Sequence, residues 1–569
     1  MCRLAINGLK SGHQPFFNED KSVVAIVNGE IYNYLELREA LQVRGHRFQG
    51  DSDCEVLIHL YEEHGPDFPS EVAGMFAVAL WDSKKKLLFL ARDRLGEKPL
   101  YWASRQEGIY FASEIRALFQ LLGDVPPADL SAWTEFLLFE YVHDPATPFQ
   151  GISKLEPGTV RIFSVSGQSR SHTFWDFPGR QPDPGSVPEQ DVGQCLEQAS
   201  RQILRSERPV AVALSGGMDS GLVLALAVQA RGGGEGLQAI TIGYPGKPEM
   251  DEREAARRLA QELGVRHHTV ELSVEEVVED FPRMVQDCDD LLADIAAPGY
   301  RAVARASQRI GAPVLLMGQG GDELFWGYRW VRETAQKLAV GQGTAPREIL
   351  RDTVCWQKWT ARLEARKFFL YRRSLEVSQA LRGLPVRGML PPWRQSARRA
   401  GQRWDDQNQE AGCRVTRLIA RSYLLANGLP LADRLGMAFS VEARQLFLDH
   451  RLWETVLGHR GQTPDYFLAP KAWLKGWACH RLPAWWLNLP KRGFTPPAQA
   501  WKRAVVARYA DWLEKGWWVE SGLVSARWIR QVVALSGSKA RYADMAYKLL
   551  VGEVWMQKIR SCADPHHPA

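Results

Sequence analysis

The residues best suited to chemistry are Leu214-Ser215-Gly216-Gly217-Met218-Asp219-Ser220, at the end of the apolar run Pro209-Val-Ala-Val-Ala-Leu214. A glycine pair lets a backbone approach an anion closely, and a helix opening at the same place aims unpaired N–H groups and its positive end there. Such a turn is a phosphate site. Asp219 sharpens the reading: a carboxylate inside a phosphate loop repels the ligand unless a cation lies between them, which calls for Mg2+ bridging to a nucleotide. No Gly-Lys-Ser/Thr follows, so this is not a Walker loop. The bland alternative is a strand-to-helix turn that carries glycines. A second glycine-rich loop, Gly318-Gln319-Gly320-Gly321-Asp322-Glu323, follows the apolar Pro313 to Met317.

For these loops to meet, they must close neighbouring strands. Leu222, Val223, Leu226 and Ala230 fall at helical spacing until Gly232 stops the helix. Beyond it the pattern predicts strands Leu237 to Gly243, His268 to Leu272 and Pro313 to Met317, with helices Asp251 to Leu263, Val274 to Asp287 and Tyr300 to Ile310. That alternation predicts a doubly wound parallel sheet whose ligands gather at the carboxyl ends of the strands, after Leu214, after Ile242-Gly243 and after Met317. The first 170 or so residues are β-rich, with short runs Val23 to Val27, Phe76 to Trp81, Leu87 to Ala91 and Ile109 to Ala112 and helical periodicity at Tyr34 to Arg44 and Asp53 to His64. A Pro, Gly, Asp and Ser-rich stretch marks a linker at 176–190, dividing a 1–175 domain from a 191–569 domain. From about Ala345 the chain reads as a helical extension rich in Trp and Arg, its Trp assigned to packing rather than to stacking on an acceptor.

Composition narrows the class. A net charge of +5 on 569 residues, with no basic block, argues against nucleic acid, and no long apolar window or signal-peptide core argues for membrane or export. The expectation is a soluble cytoplasmic protein. Eight cysteines without a Cys-x-x-Cys disfavour structural zinc and disulfides, and His267-His268, placed beside a strand, are not read as ligands.

Several words in the chain resemble the asparagine synthetase family of glutamine-dependent amidotransferases. Val27-Asn-Gly-Glu-Ile-Tyr-Asn33, Ser52-Asp-Cys-Glu55, Ala91-Arg-Asp-Arg-Leu-Gly-Glu-Lys-Pro-Leu-Tyr101 and Phe111-Ala-Ser-Glu114 look like its glutaminase domain, an Ntn-type α+β sandwich. The Ser215 loop resembles the pyrophosphate loop of the ATP pyrophosphatases, and Leu431 to His450, Lys471 to Lys475 and Pro490 to Phe494 match further family words. The resemblance implies ATP-dependent adenylation of a carboxylic acid, aspartate in the type case, and its amidation by glutamine or ammonia. It implies Cys2 as nucleophile with its own α-amine as base, Arg3 on the glutamine carboxylate, Asp53 on the α-amine, Asn28 and Gly29 as oxyanion donors and Glu30 alongside. For ATP it implies Leu214, Ser215, Gly216, Gly217, Asp219, Ser220, Ile242, Gly318 and Gly320, with Mg2+ on Asp219 and Asp322. Lys471 would neutralise charge on the departing pyrophosphate, and Glu442 and Arg444 would brace the site.

The sequence also departs from the family. Arg3 to Pro15 resembles a segment that lies well inside the family's glutaminase, so the sandwich is expected to be incomplete, or its start to lie upstream. Gln319 stands where the family has an acid thought to deprotonate the attacking ammonium, and glutamine cannot accept that proton. The acceptor stretch Asp289 to Tyr300 has Asp290-Leu291 for the usual Glu-Pro, with Ile295 and Ala296 at small polar positions. Three readings stay open: asparagine synthesis, amidation of another acid such as a sugar acid or natural-product intermediate, and a degenerate nucleotide-binding scaffold. A homodimer is left open.

Overall fold

The computed structural model describes residues 4–246, 251–341, 409–490 and 496–563. Cys2, Arg3 and the Lys491 to Phe494 word lie outside the described residues.

The N-terminal half is built from two antiparallel sheets. One has the order β1-β2-β3-β4-β8-β9, where β1 is Phe16–Phe17, β2 Val23–Ile31, β3 Gly74–Asp82, β4 Leu87–Arg92, β8 Thr159–Ser164 and β9 Ser169–Thr173. The other has the order β6-β5-β7, from Gly108–Ala112, Tyr101–Arg105 and Ile152–Lys154. Period-two alternation decides what each face covers. Val23, Ala25, Val27, Phe76, Val78 and Leu80 turn toward helices α1 (Tyr34–Val43) and α2 (Val56–His64), which supply Leu41, Leu57 and Tyr61. Ala77, Ala79, Leu90 and Phe163 turn the other way and meet Trp102 and Phe111 of the smaller sheet. The far face of that sheet, through Tyr101, Ala103 and Ile152, packs on α3 (Ile115–Leu122) and α4 (Leu130–Phe139). The layers are therefore helix, sheet, sheet, helix.

The C-terminal half holds a five-stranded sheet in the order β12-β11-β10-β13-β14. Its strands are β10 Val210–Ala213, β11 Leu237–Gly243, β12 Arg266–Glu271, β13 Val314–Met317 and β14 Glu442–Gln445, each parallel to its neighbour. Val210, Val212, Ala239 and Leu316 face α6 (Met218–Arg231) and α7 (Arg253–Glu262), with α5 (Pro188–Ile203) behind them. Ala211, Ile240 and Leu315 face Val303 of α9 (Ala297–Arg309), with α8 (Val274–Asp287) beyond. Burial on both faces explains why β10 and β13 read as unbroken apolar runs. Gly232 ends α6 in the left-handed conformation at φ 74°, and Ser273 with Glu276 forms a reciprocal cap on α8.

Three sequence expectations change. His267 and His268 do not flank a strand; they lie within β12, where His267 meets the Thr241 hydroxyl at 2.8 Å and His268 the Gln238 side chain at 2.9 Å. Asn28 and Gly29 do not end a strand at Val27 but continue β2, paired with Ala77 and Phe76. The stretch around 431–450 is helical over Leu429–Met437, then becomes β14 because Val314 to Met317 offer it a parallel edge, and is helical again at Leu446–Leu448 and from His450.

Candidate active site

Strand order reverses between β10 and β13, so the loops leaving their carboxyl ends diverge around a crevice. Asp219 comes from the first loop and Asp322 from the second. Lys471 joins them: its Nζ lies 2.5 Å from Asp219 Oδ2 and 2.5 Å from Asp322 Oδ1. The lysine is 7% exposed and caps the helix Ala472–Ala478 from a left-handed backbone at φ 60°, its own N–H donating to Phe325 O at 3.0 Å. Burial disfavours its ammonium, but Asp219 and then Asp322 outweigh that and hold its pKa above the ordinary lysine range.

Around this triad the loops are built for close approach. Ser220 Oγ accepts from the Ser215 N–H at 3.1 Å and sits 2.9 Å from Ser215 Oγ, which accepts from the Gly217 N–H at 3.2 Å. The loop thus folds onto its own serines. A Cβ on Gly321 would lie 2.8 Å from Asp219 Cγ, and one on Gly327 would lie 1.8 Å from Asp322 Oδ1, so glycine at both positions lets the carboxylates converge. Gly320 adopts φ 92°, with its N–H donating to Glu323 Oε2 at 3.1 Å. Leu214 is buried at the strand end, its carbonyl accepting from the Thr241 hydroxyl at 2.7 Å, and Ile242 lies on neighbouring β11.

Glu252, Glu323 and Tyr300 were given no role from sequence. Glu252 places its carboxylate on the Gly216 N–H at 2.9 Å, showing that this turn does bind an anionic oxygen; its place one residue before α7 was the available signal. Glu323, 4% exposed, accepts from Tyr328 Oη at 3.0 Å, and burial followed by Asp322 pushes its pKa up to about 7. Gln319 donates to Tyr300 Oη at 2.7 Å and to the Gly428 carbonyl at 3.0 Å. Tyr300 is partly buried, and burial followed by Asp294 raises its phenol further above the ordinary range.

Glu442 and Arg444 stand elsewhere than expected. Arg444, 0% exposed, donates to Glu442 Oε1 at 2.8 Å and lies 3.4 Å from Glu30 Oε2 of the N-terminal half. They brace the joint between halves. Glu30 also accepts from Asn7 at 2.6 Å, and Asp53, 1% exposed, accepts from the Ile31 N–H at 2.7 Å. Asn28 donates to Ser113 Oγ at 3.2 Å, and the Gly29 carbonyl accepts from the Cys54 thiol at 3.4 Å. Asn28, Gly29, Glu30 and Asp53, the residues expected to serve glutamine, are thus gathered at one end of β2. The acceptor stretch is likewise tied to the N-terminal half: Asp289 accepts from the Ile115 N–H at 2.8 Å and from Arg116 at 2.7 Å, and Asp290 lies 3.1 Å from Lys154.

This pairing of an N-terminal antiparallel sandwich with a crevice-forming parallel sheet has counterparts. Residues 1–175 match the family described as glutamine amidotransferase domain, and residues 191–557 match the one described as asparagine synthase. The chain belongs to the asparagine synthase family. Its similarity to glutamine-hydrolyzing asparagine synthetase 1 of Bacillus subtilis is 34% identity, covering 58% of this chain and 52% of that protein. Glutamine-hydrolyzing asparagine synthetase 2 of Arabidopsis thaliana is 32% identical over 67% of this chain and 62% of its own length. Asparagine synthetase B of Escherichia coli is 29% identical over 67% of this chain and 66% of its own. The chain therefore spans about half to two-thirds of the length of these relatives.

Proposed function

We propose that this asparagine synthase family chain adenylates a carboxylic acid with ATP and transfers ammonia to it, with release of AMP and pyrophosphate. Aspartate is the acid and glutamine the ammonia source that the relatives' names suggest. The observation that carries the reading is the convergence of Asp219, Asp322 and Lys471 at the switch point. A carboxylate is a poor electrophile, so activation needs a leaving group and a place to hold the charge that departs with it.

The donor set fits Mg2+, since two aspartate oxygens from separate loops already share one cationic group at 2.5 Å. Bound there, the ion would neutralise the nucleotide's phosphates. The N–H groups of the Ser215 to Gly217 turn and the start of α6 would orient the phosphate tail, with Glu252 giving up its place on Gly216. Lys471 would then move from its two carboxylates onto the leaving pyrophosphate.

Gln319 uses its amide as a donor and offers no basic group, so ammonia is best delivered unprotonated. Interior space supports that. A small cavity at the joint is lined by Tyr32, Asp93, Glu97, Gln445 and His450, and a neighbouring one by Glu97, Tyr101, Asp433 and Arg434. Burial pushes His450 down to about 3, leaving it neutral beside any ammonia that passes. A second reading, an acid other than aspartate, is favoured by Ile295 and Ala296 in the acceptor stretch and by the engagement of Asp289 and Asp290 with the N-terminal half.

The test is to supply the purified chain with ATP, Mg2+ and a panel of acids, with ammonium or glutamine, and to follow pyrophosphate and amide product. Release with aspartate supports asparagine synthesis; release with another acid alone supports the second reading; none with any acid overturns both. Glutamine-dependent turnover should vanish in Cys2→Ala while the ammonium-dependent rate persists.

A further inference from the structure

Far from the crevice, at one end of the six-stranded sheet, three separate segments bring two imidazoles and two carboxylates together. Glu19 lies in the turn between β1 and β2, His46 follows α1, and His59 and Glu62 sit one helical turn apart on α2. One ligand atom from each of the four falls within 4.8 Å of all the others. His46 Nδ1 is 3.5 Å from Glu19 and 3.7 Å from Glu62, and His59 Nδ1 is 3.3 Å from Glu62 and 3.8 Å from Glu19. We propose that Glu19, His46, His59 and Glu62 form a binding site for a divalent transition-metal ion, of which Zn2+ is the best match. This site is independent of the activity argued above.

Three features carry the proposal. The first is spacing. Bonds of about 2.0–2.2 Å from Zn2+ to imidazole nitrogen and carboxylate oxygen put the corners of a tetrahedron about 3.3–3.6 Å apart; the four histidine–carboxylate distances here are 3.3–3.8 Å, with Glu19 meeting the two histidines through different oxygens. The His59–Glu62 contact at 3.3 Å is also within hydrogen-bond reach.

The second is the outer layer. A metal-ligating histidine characteristically gives its other ring nitrogen to a carboxylate, and ligating carboxylates are themselves hydrogen-bonded. His46 Nε2 lies 3.1 Å from Glu63 Oε1; Glu62 Oε1 accepts from Asn18 at 2.7 Å; Glu19 Oε1 accepts from the Arg47 N–H at 2.8 Å. Asn18 also holds the β1–β2 turn through its contacts with Ser22 and Val23.

The third is charge and burial. The His59 side chain is 0% exposed and turns Nδ1 toward the carboxylates, while His46 is 12% exposed. The two imidazoles are set among three carboxylates, Glu19, Glu62 and Glu63, and Arg44 lies on Glu63 at 2.9 Å. A dication at the centre of the cluster would meet both imidazole nitrogens and carboxylate oxygens at once. Nitrogen and oxygen donors in a four-fold set suit Zn2+ over Mg2+, which keeps octahedral oxygen ligation and several waters. Four protein ligands leave no open position, so the ion would act as a clip joining the β1–β2 turn to both helices.

The experiment is calorimetric titration of chelator-treated full-length protein with ZnCl2, alongside thermal melts. The expected result is a single high-affinity site in the parent and in Asp219→Asn, with a rise in melting temperature. Binding should be lost in His46→Gln and Glu62→Gln and weakened about 10- to 100-fold in Glu63→Gln, which touches only the outer layer. Circular dichroism matching the parent shows that the variants are folded, and the partly exposed Glu63 carries the test if a ligand variant is not. No Zn2+ binding by the parent, or binding undiminished in His46→Gln and Glu62→Gln, would overturn the site.

Discussion

Lys471 is the residue on which the crevice depends, and its removal should act on stability and turnover in opposite ways once metal is added. Lys471→Met strands Asp219 and Asp322 with their charges facing each other at low exposure. Breaking a buried pair in this way costs about 3–5 kcal/mol, read as a drop in denaturation midpoint. Added Mg2+ should recover part of that stability without restoring pyrophosphate release, because the ion replaces the charge on the carboxylates but not the charge on the leaving group. Glu30 makes a second residue-level prediction. Burial, then Asp53 and Glu442, hold its carboxyl well above the ordinary value of 4.5. A folded pKa above the unfolded one means that the folded state keeps a proton the unfolded state releases, so stability is lost as pH rises from 4.5 upward. Glu30→Gln keeps a neutral side chain at every pH. Its melting temperature relative to the parent should therefore climb between acid and neutral pH; a pH-independent difference would contradict this.

At the scale of elements, the strands and helices around the crevice were the most legible part of the chain. Val274–Asp287 carries both its period and its Ser273–Glu276 cap in the sequence, so its limits could be read directly. The Ser215 and Gly318 loops could be recognised because each glycine-rich turn follows an apolar run, and Lys471 because of the family word around it. Other features had no local signal. β14 is four residues whose pairing with β13 is made across more than a hundred residues of chain, and nothing in Glu442-Ala-Arg-Gln445 by itself favours strand over helix. Asn28-Gly29 reads as a turn by composition, yet the neighbouring strand decides otherwise. Gly29 has φ 154°, and a Cβ there would lie 2.1 Å from the Met75 carbonyl oxygen. The glycine is demanded by close strand approach rather than by a bend. Gly29→Ala should thus cost about 1–3 kcal/mol, measurable by urea denaturation. A cost near zero would show that β2 and β3 can separate locally.

At the scale of the molecule, the two halves share a core. Trp133 of α4 is 0% exposed, with ring centroids 4.3 Å from Trp517, 5.1 Å from Trp518 and 6.0 Å from Trp555. Trp133→Ala should cost about 3–5 kcal/mol and, because it opens the contact between halves, should split a single thermal transition into two in calorimetry; one unshifted transition would refute the shared core. The anchoring of Asp289 and Asp290 by Arg116, the Ile115 N–H and Lys154 has a practical corollary. The Asp289 to Tyr300 segment is shaped by groups on the other side of the joint, so the C-terminal half cut free of the N-terminal half would lose the partners that fix it. Anyone dissecting this chain by truncation would remove, along with the N-terminal sandwich, the scaffolding that holds this segment in place.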